Sequence, residues 1–231
     1  MEEVEKFGFL KQSLVDYPGE VCAVLFFPKC NFHCSYCFNQ HLPEIVAEEG
    51  WSFESIKTYL QEARTFLTAV CLTGGETTLY PNTLATLIER FRALGYKVKI
   101  DTNGSHPGVL QAIQKQVHYI AMDLKTSLDR YAQLTQAEEP SLADAIAASM
   151  QILLQREPHA YEFRTTLARE WVQEADLHDL GKRLHPSSHW YLQRCRTETP
   201  LTAAEQVAEE KWIQQAVSIA KTYSQHVCLR K

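Results

Sequence analysis

Residues 29–40 read KCNFHCSYCFNQ and hold Cys30, Cys34 and Cys37 in the spacing C-x3-C-x2-C. The run just before them, VCAVLFF at 21–27, is short, apolar and rich in β-branched and aromatic residues, the pattern of a buried strand. Three thiols therefore stand at the C-terminal end of a strand, and the loop holds no fourth cysteine to complete the set that a metal or cluster normally takes. Whether further strands and helices alternate after this one decides the fold.

That alternation continues along the chain. Strands are predicted at 21–27, 69–73, 97–101, 118–124, 160–167 and 189–194. Helices are predicted at 53–67 with Ser52 as N-cap, at 81–94 with Gly95 as the stop, and at 109–116, 141–154 and 172–184. A long closing helix is predicted at 203–223. Strand followed by helix, about six times over, predicts an α/β fold with a mostly parallel sheet and helices outside it. With no repeat, low-complexity tract or linker in sight, a single domain over 1–231 is expected, with its core at about 20–194 and the last helix as a cap.

Composition agrees with this and narrows the function. The chain has 231 residues, 45% hydrophobic and 22% charged, an ordinary globular balance. Its net charge of -5 makes it a poor candidate for non-specific nucleic-acid binding, so no nucleic-acid partner is expected. The start, MEEVEKFGFLKQSL, does not read as a secretory signal. The longest apolar runs fall far short of the ~18 residues of a membrane span, so no membrane partner is expected. A cytoplasmic location is expected, where thiols stay reduced. Seven cysteines, an odd number, then point to metal or redox chemistry and away from a disulfide framework.

The polar motifs fall at one place on the map. The cysteine loop comes after the first strand and Gly74-Gly75-Glu76 after the second. Asp101-Thr102-Asn103-Gly104 closes the third and Asp123-Leu124-Lys125 the fourth. Arg164 lies in the fifth, and Gln193-Arg194 close the sixth. Parallel α/β folds build their active sites at strand C-terminal ends.

Two chemistries suit the triplet. Structural zinc takes four Cys or His ligands, and His33 or His41 is available as the fourth. Zinc ribbons, however, use two separated C-x2-C pairs, and no second pair exists: Cys195 and Cys228 are isolated, and Cys22 and Cys71 sit inside apolar strands, where an inert buried thiol is expected. A [4Fe–4S] cube held by three thiolates leaves one iron open, and an open position is where a substrate or cofactor binds. The spacing favours the cluster.

C-x3-C-x2-C with an aromatic residue, Tyr36, before the last cysteine resembles the radical S-adenosylmethionine (SAM) superfamily. The Gly-Gly-Glu and Thr-Asn-Gly motifs at their spacings strengthen the likeness, which covers about residues 7–194. The resemblance implies a partial (β/α)6 TIM-like barrel, a [4Fe–4S] cluster on Cys30, Cys34 and Cys37, and SAM chelating the fourth iron. It places Tyr36, Cys37, Phe38, Gly74, Gly75, Glu76 and Asn103 at the cofactors. Thr77 stands where the family usually has Pro. The Asp-Thr-Asn-Gly and Asp-Leu-Lys motifs are those of glycyl-radical-enzyme activases. They imply a monovalent cation site at Asp101, Thr102 and Asp123, and SAM contacts from Asp123, Leu124, Lys125 and Arg164. Asp16-Tyr17-Pro18-Gly19 is most similar to the second, longer type of activating protein for anaerobic ribonucleoside-triphosphate reductase, and is related to pyruvate formate-lyase activating enzyme.

The activity so implied is reductive cleavage of SAM with an electron from flavodoxin or ferredoxin. The resulting 5′-deoxyadenosyl radical then takes hydrogen from a glycine Cα of a partner glycyl radical enzyme. No side chain need act as acid or base. A radical SAM enzyme acting on a small molecule, such as a carboxy-deazaguanine synthase, is the rival; those enzymes usually carry Gln-Gly-Glu where this chain has Tyr17-Pro18-Gly19. A zinc-stabilised binding module is the non-enzymatic rival. Trp51, Trp171, Trp190 and Trp212 are expected to pack only.

Overall fold

The computed structural model describes residues 4–195 and 202–230. The chain gathers into two compact units. One is the stretch up to Asn31 with Asn39–Ala121; the other is Phe32–Phe38 with the chain from Met122 onward.

The first unit is built on β1 (Lys6–Ser13), β2 (Cys22–Phe27), β3 (Trp51–Ser52), β4 (Ala69–Gly74) and β5 (Lys97–Thr102), ordered β3-β1-β2-β4-β5. The pairs β2–β4 and β4–β5 are parallel, with Val24 beside Cys71 and Cys71 beside Lys99. The apolar run of β2 is buried on both faces, as parallel strands under helices are. Its helices are α1 (Leu42–Glu49), α2 (Phe53–Glu62), α3 (Pro81–Ala93) and α4 (Pro107–Ile113).

The expected signals act here. The Ser52 hydroxyl accepts the Ser55 N–H and caps α2. Pro81 opens α3, where its missing N–H costs nothing. Gly95 stands just past α3 at φ 81°, a left-handed stop. The predicted helix at 53–67 ends at Glu62 and tightens into a 3-10 turn over Ala63–Thr65, where Arg64 donates to the Leu67 and Gly95 carbonyls.

Three elements of this unit have no counterpart among the predicted ones. Strand β1 runs antiparallel to both β2 and β3. Its apolar residues Phe7 and Phe9 sit between charges, and Leu10 lies 45% exposed, so no continuous apolar run marks it. Helix α1 is eight residues long and has no side-chain cap.

Strand β6 (Tyr119–Asp123) bridges the division: Ala121 belongs to the first unit and Met122 to the second. The second unit then continues through α5 (Tyr131–Thr135), α6 (Leu142–Leu154), β7 (Tyr161–Leu167), α7 (Glu174–Gly181), β8 (His189–Arg194), α8 (Ala203–Lys221) and β9 (His226–Arg230). Strands β7, β8 and β9 are parallel neighbours. The closing helix is present, opened by a capping box of Thr202 and Glu205. It buries Trp212, Ile213, Ala216, Ile219 and Ala220, a helical stripe.

Strand β9 extends the predicted alternation by one. Its pattern is half exposed, so apolar periodicity does not announce it. An ion pair anchors it: both guanidinium Nη atoms of Arg230 donate to the fully buried Glu162 at 2.7 Å. The Arg230 guanidinium also lies 3.7 Å from the Tyr191 ring centre. Among the described residues no helix is long and apolar enough to cross a membrane.

Candidate active site

In the first unit, β2, β4 and β5 end together at one corner. The Gly75 N–H donates to the Phe27 carbonyl at 2.8 Å, and the Glu76 N–H to the Lys29 carbonyl at 2.7 Å. The glycines are needed there. A Cβ on Gly75 would lie 1.9 Å from the Lys29 carbonyl oxygen, and one on Gly74, at φ 110°, 2.4 Å from the Phe27 nitrogen. The space they leave is filled by the backbone that leads into Cys30.

The Glu76 side chain is buried at 1% exposure. Its carboxylate accepts from the Thr78 N–H at 3.0 Å, the Thr78 hydroxyl at 2.6 Å, the Thr102 hydroxyl at 2.7 Å and the Asn103 N–H at 2.6 Å. Glu76 thereby ties the end of β4 to the turn after β5, and its oxygens are occupied by the protein. The Thr102 hydroxyl also accepts the Gly104 N–H at 3.1 Å. The Asn103 amide donates to Asn31 Oδ1 at 2.9 Å and lies 3.9 Å from Cys30 Sγ. Such a donor tunes the electron density of a ligating sulfur.

One layer below, Asp101 is joined to side chains that no sequence motif marks. Its Oδ2 accepts from the Thr73 hydroxyl at 3.0 Å, and its Oδ1 from the Lys99 ammonium and, at 3.8 Å, the Cys71 thiol. Burial first and Asp101 next push the Cys71 thiol well above its ordinary range. Burial likewise pushes Cys22 up to about 12. Both thiols pack in the apolar core as expected, and Cys71 in addition touches Asp101 and Lys99.

In the second unit the cysteine loop is held at both flanks of Cys34. The His33 N–H donates to the Thr135 carbonyl at 2.8 Å, and the Trp171 indole N–H to Ser35 Oγ at 2.9 Å. The Cys37 N–H closes a turn onto the Cys34 carbonyl at 3.0 Å. Phe38 is 75% exposed. Trp171 therefore has a hydrogen-bonding task that its isolated place in the sequence hid.

The Asp-Leu-Lys motif supplies a charged cluster. Asp123 accepts from Lys125 Nζ at 3.2 Å and from Arg164 Nε at 2.9 Å. The Leu124 N–H bonds the Arg164 carbonyl at 2.7 Å, which sets the two strands in register at this point. The Tyr131 hydroxyl accepts the Lys125 N–H and donates to the Asp123 carbonyl. Burial opposes the charge on Lys125, but Asp123 and the nearby Tyr36, Cys34 and Tyr131 outweigh it and leave its pKa well above the usual lysine range. Burial raises the Cys34 thiol, against the pull of Lys125. Burial raises the Tyr36 hydroxyl too.

All seven cysteines are free thiols. Among the described residues no three His, Cys, Asp or Glu side chains are grouped as ligands of a single metal ion. The donor set fits an iron–sulfur cluster: three thiols on one loop, a backbone corner fixing the first, and an amide aimed at its sulfur. The residues expected at a monovalent cation are each engaged by groups of the protein. Asp101 is paired with Lys99, the Thr102 hydroxyl is engaged by Glu76 and Gly104, and Asp123 is paired with Lys125 and Arg164.

Three known proteins bear on this geometry. A protein of Methanocaldococcus jannaschii, provisionally named a glycyl-radical enzyme activating enzyme, is 27% identical over 96% of this chain and 94% of its own. The 7-carboxy-7-deazaguanine synthase of Haemophilus influenzae is 33% identical over 43% of this chain and 42% of its own. The crystal structure of a radical SAM methyltransferase from Sphaerobacter thermophilus superposes with a TM-score of 0.63 at 14% identity, covering 93% of this chain and 67% of that one. The superposition shows the fold to be the α/β radical SAM type that the sequence predicts. With its residues 24–150 matching the model of the Radical SAM superfamily, the chain belongs to that superfamily of enzymes.

Proposed function

We propose that the chain activates a partner glycyl radical enzyme, anaerobic ribonucleoside-triphosphate reductase, by taking a hydrogen atom from one of its glycine Cα atoms. The observation that carries the activase reading is the likeness to the Methanocaldococcus protein, which runs the length of both chains, whereas the likeness to the deazaguanine synthase spans less than half of either; the reductase as partner rests on the Asp16-Tyr17-Pro18-Gly19 resemblance.

Cys30, Cys34 and Cys37 would hold the [4Fe–4S] cluster. Tyr36, Cys37, Phe38, Gly74, Gly75, Glu76, Asn103, Asp123, Leu124, Lys125 and Arg164 are the residues we assign to SAM and the cluster surroundings. When bound, cluster and SAM supply one-electron reductive cleavage of the sulfonium C–S bond, the electron coming from flavodoxin or ferredoxin. The protein's own part is positional. Glu76 and the two glycines fix the corner that carries Cys30, and Asn103 directs an N–H at its sulfur. Asp123 aims Lys125 and Arg164, two donors suited to a carboxylate. None of these groups has to gain or lose a proton, which suits homolytic chemistry.

The test is anaerobic purification with iron reconstitution, then electron paramagnetic resonance of the reduced protein with and without SAM. A reduced cluster signal that changes on SAM addition, absent in Cys34→Ala, is expected. Incubation with the reductase should then give a glycyl radical signal on that partner. Stoichiometric zinc and no cluster signal would overturn the reading.

A further inference from the structure

The feature that activity leaves without a role is a buried lysine. Strand β5 reads Lys-Val-Lys-Ile-Asp-Thr, so Lys97, Lys99 and Asp101 share one face at the period of two. Lys99 is 1% exposed and stands beside Cys71 of β4 in the parallel register. Tyr17, Cys22, Val24, Ala69, Cys71 and Tyr119 form the apolar cluster on that side of the unit. A lysine in such surroundings sheds its charge or is lost to folding unless a carboxylate meets it. Asp101 meets it: the ammonium donates to Asp101 Oδ1 and, at 3.6 Å, to Cys71 Sγ. The second Asp101 oxygen takes the Thr73 hydroxyl, and the next residue's hydroxyl is engaged by Glu76 and Gly104. The charge that an added monovalent ion would balance is already balanced, and such an ion would stand against an ammonium.

We propose that Lys99 is a positioning residue that serves as the chain's built-in cation, so that Asp101 needs no bound potassium or sodium and SAM binding is indifferent to the monovalent ion supplied. The inference rests on the radical SAM reading of the site. It predicts how Asp101 behaves when Lys99 changes. Lys99→Met leaves a carboxylate whose countercharge must come from solution, whereas Lys99→Arg keeps the charge in place.

The test is equilibrium binding of SAM to the reconstituted protein in potassium, sodium or tetramethylammonium chloride, each at about 0.1 M so that screening is equal. Apo-protein melting temperatures are measured in the same salts. For the natural chain the dissociation constant is expected to stay within about twofold across the three salts, with melting unchanged. Lys99→Met is expected to bind SAM about tenfold more weakly in tetramethylammonium and to recover in potassium, a dependence that Lys99→Arg lacks.

A natural chain that gains tenfold from potassium would overturn the proposal, and this arm needs no variant to fold. So would a folded Lys99→Met that binds SAM equally in all three salts. Salt-indifferent SAM binding with no glycyl radical on the reductase would sink the activase reading and leave this inference standing. No SAM binding in any salt would sink both.

Discussion

Glu76 concentrates more of the site's order than any neighbouring side chain. Two threonine hydroxyls and two backbone N–H groups converge on one buried carboxylate. Its removal leaves buried donors without acceptors, so Glu76→Ala is expected to cost about 2–4 kcal/mol of stability. Glu76→Gln should cost less, because one acceptor oxygen survives while its amide meets N–H donors. Chemical denaturation of the three proteins measures both. The sequence places Glu76 at the site but not its role. The Gly-Gly-Glu motif is legible as a strand end, yet which donors a buried carboxylate meets depends on the turn after β5, 26 residues on in the case of Thr102. Lys99 is the reverse case. The alternation of KVKID places charges on one face of a strand, a signal that could have flagged it, but the motif at the strand's end is the more conspicuous feature.

At the level of elements, the strands β2, β4, β5, β6, β7 and β8 were legible because parallel strands are buried and read as apolar runs. Strands β1, β3 and β9 were not. Each is an edge or near-edge element, half exposed or only two residues long, and each is defined by its neighbour more than by its own composition. For β9 the definition is an ion pair. Arg230→Met strands the Glu162 charge in the interior and is expected to cost about 3–5 kcal/mol, while Arg230→Met with Glu162→Gln regains most of it. Denaturant melts of the single and double variants measure the difference.

The start of β9 carries a second prediction. His189 and His226 stack with ring centres 4.7 Å apart. Burial first, then His226, lower the pKa of His189, with His159 adding to this and Glu162 opposing. A base whose folded pKa is depressed binds fewer protons in the fold than unfolded, so stability rises with pH through the ordinary histidine range and is lost below it. The melting temperature should fall between pH 8 and pH 5.5, and fall less in His189→Asn.

The whole molecule shows where sequence reading is strong and where it ends. The thiol spacing and the strand-end motifs were enough to expect the radical SAM fold, because both are local. The main partners of Asp101 were not legible. A resemblance transfers a motif, whereas Lys99 and Cys71 lie outside it. The fold itself rests on sheet pairing, apolar burial and the buried ion pairs, in which Cys34 alone of the cysteine loop's thiols takes part, as one buried side chain among many. Iron removal by a chelator is therefore expected to leave the far-ultraviolet circular dichroism spectrum unchanged, the opposite of a zinc finger, which unfolds without its metal.

That independence bears on how the protein matures. The bond from the Glu76 N–H to the Lys29 carbonyl sets the backbone at Cys30 while the polypeptide folds, and the bonds to Thr135 and Trp171 do the same on either side of Cys34. Ordering a ligand loop is an entropic cost, and here it is met during biosynthesis rather than drawn from the energy of metal capture. An iron-delivering protein thus meets two stretches of the loop whose backbones are already set. An apo chain can then wait, folded, for its iron.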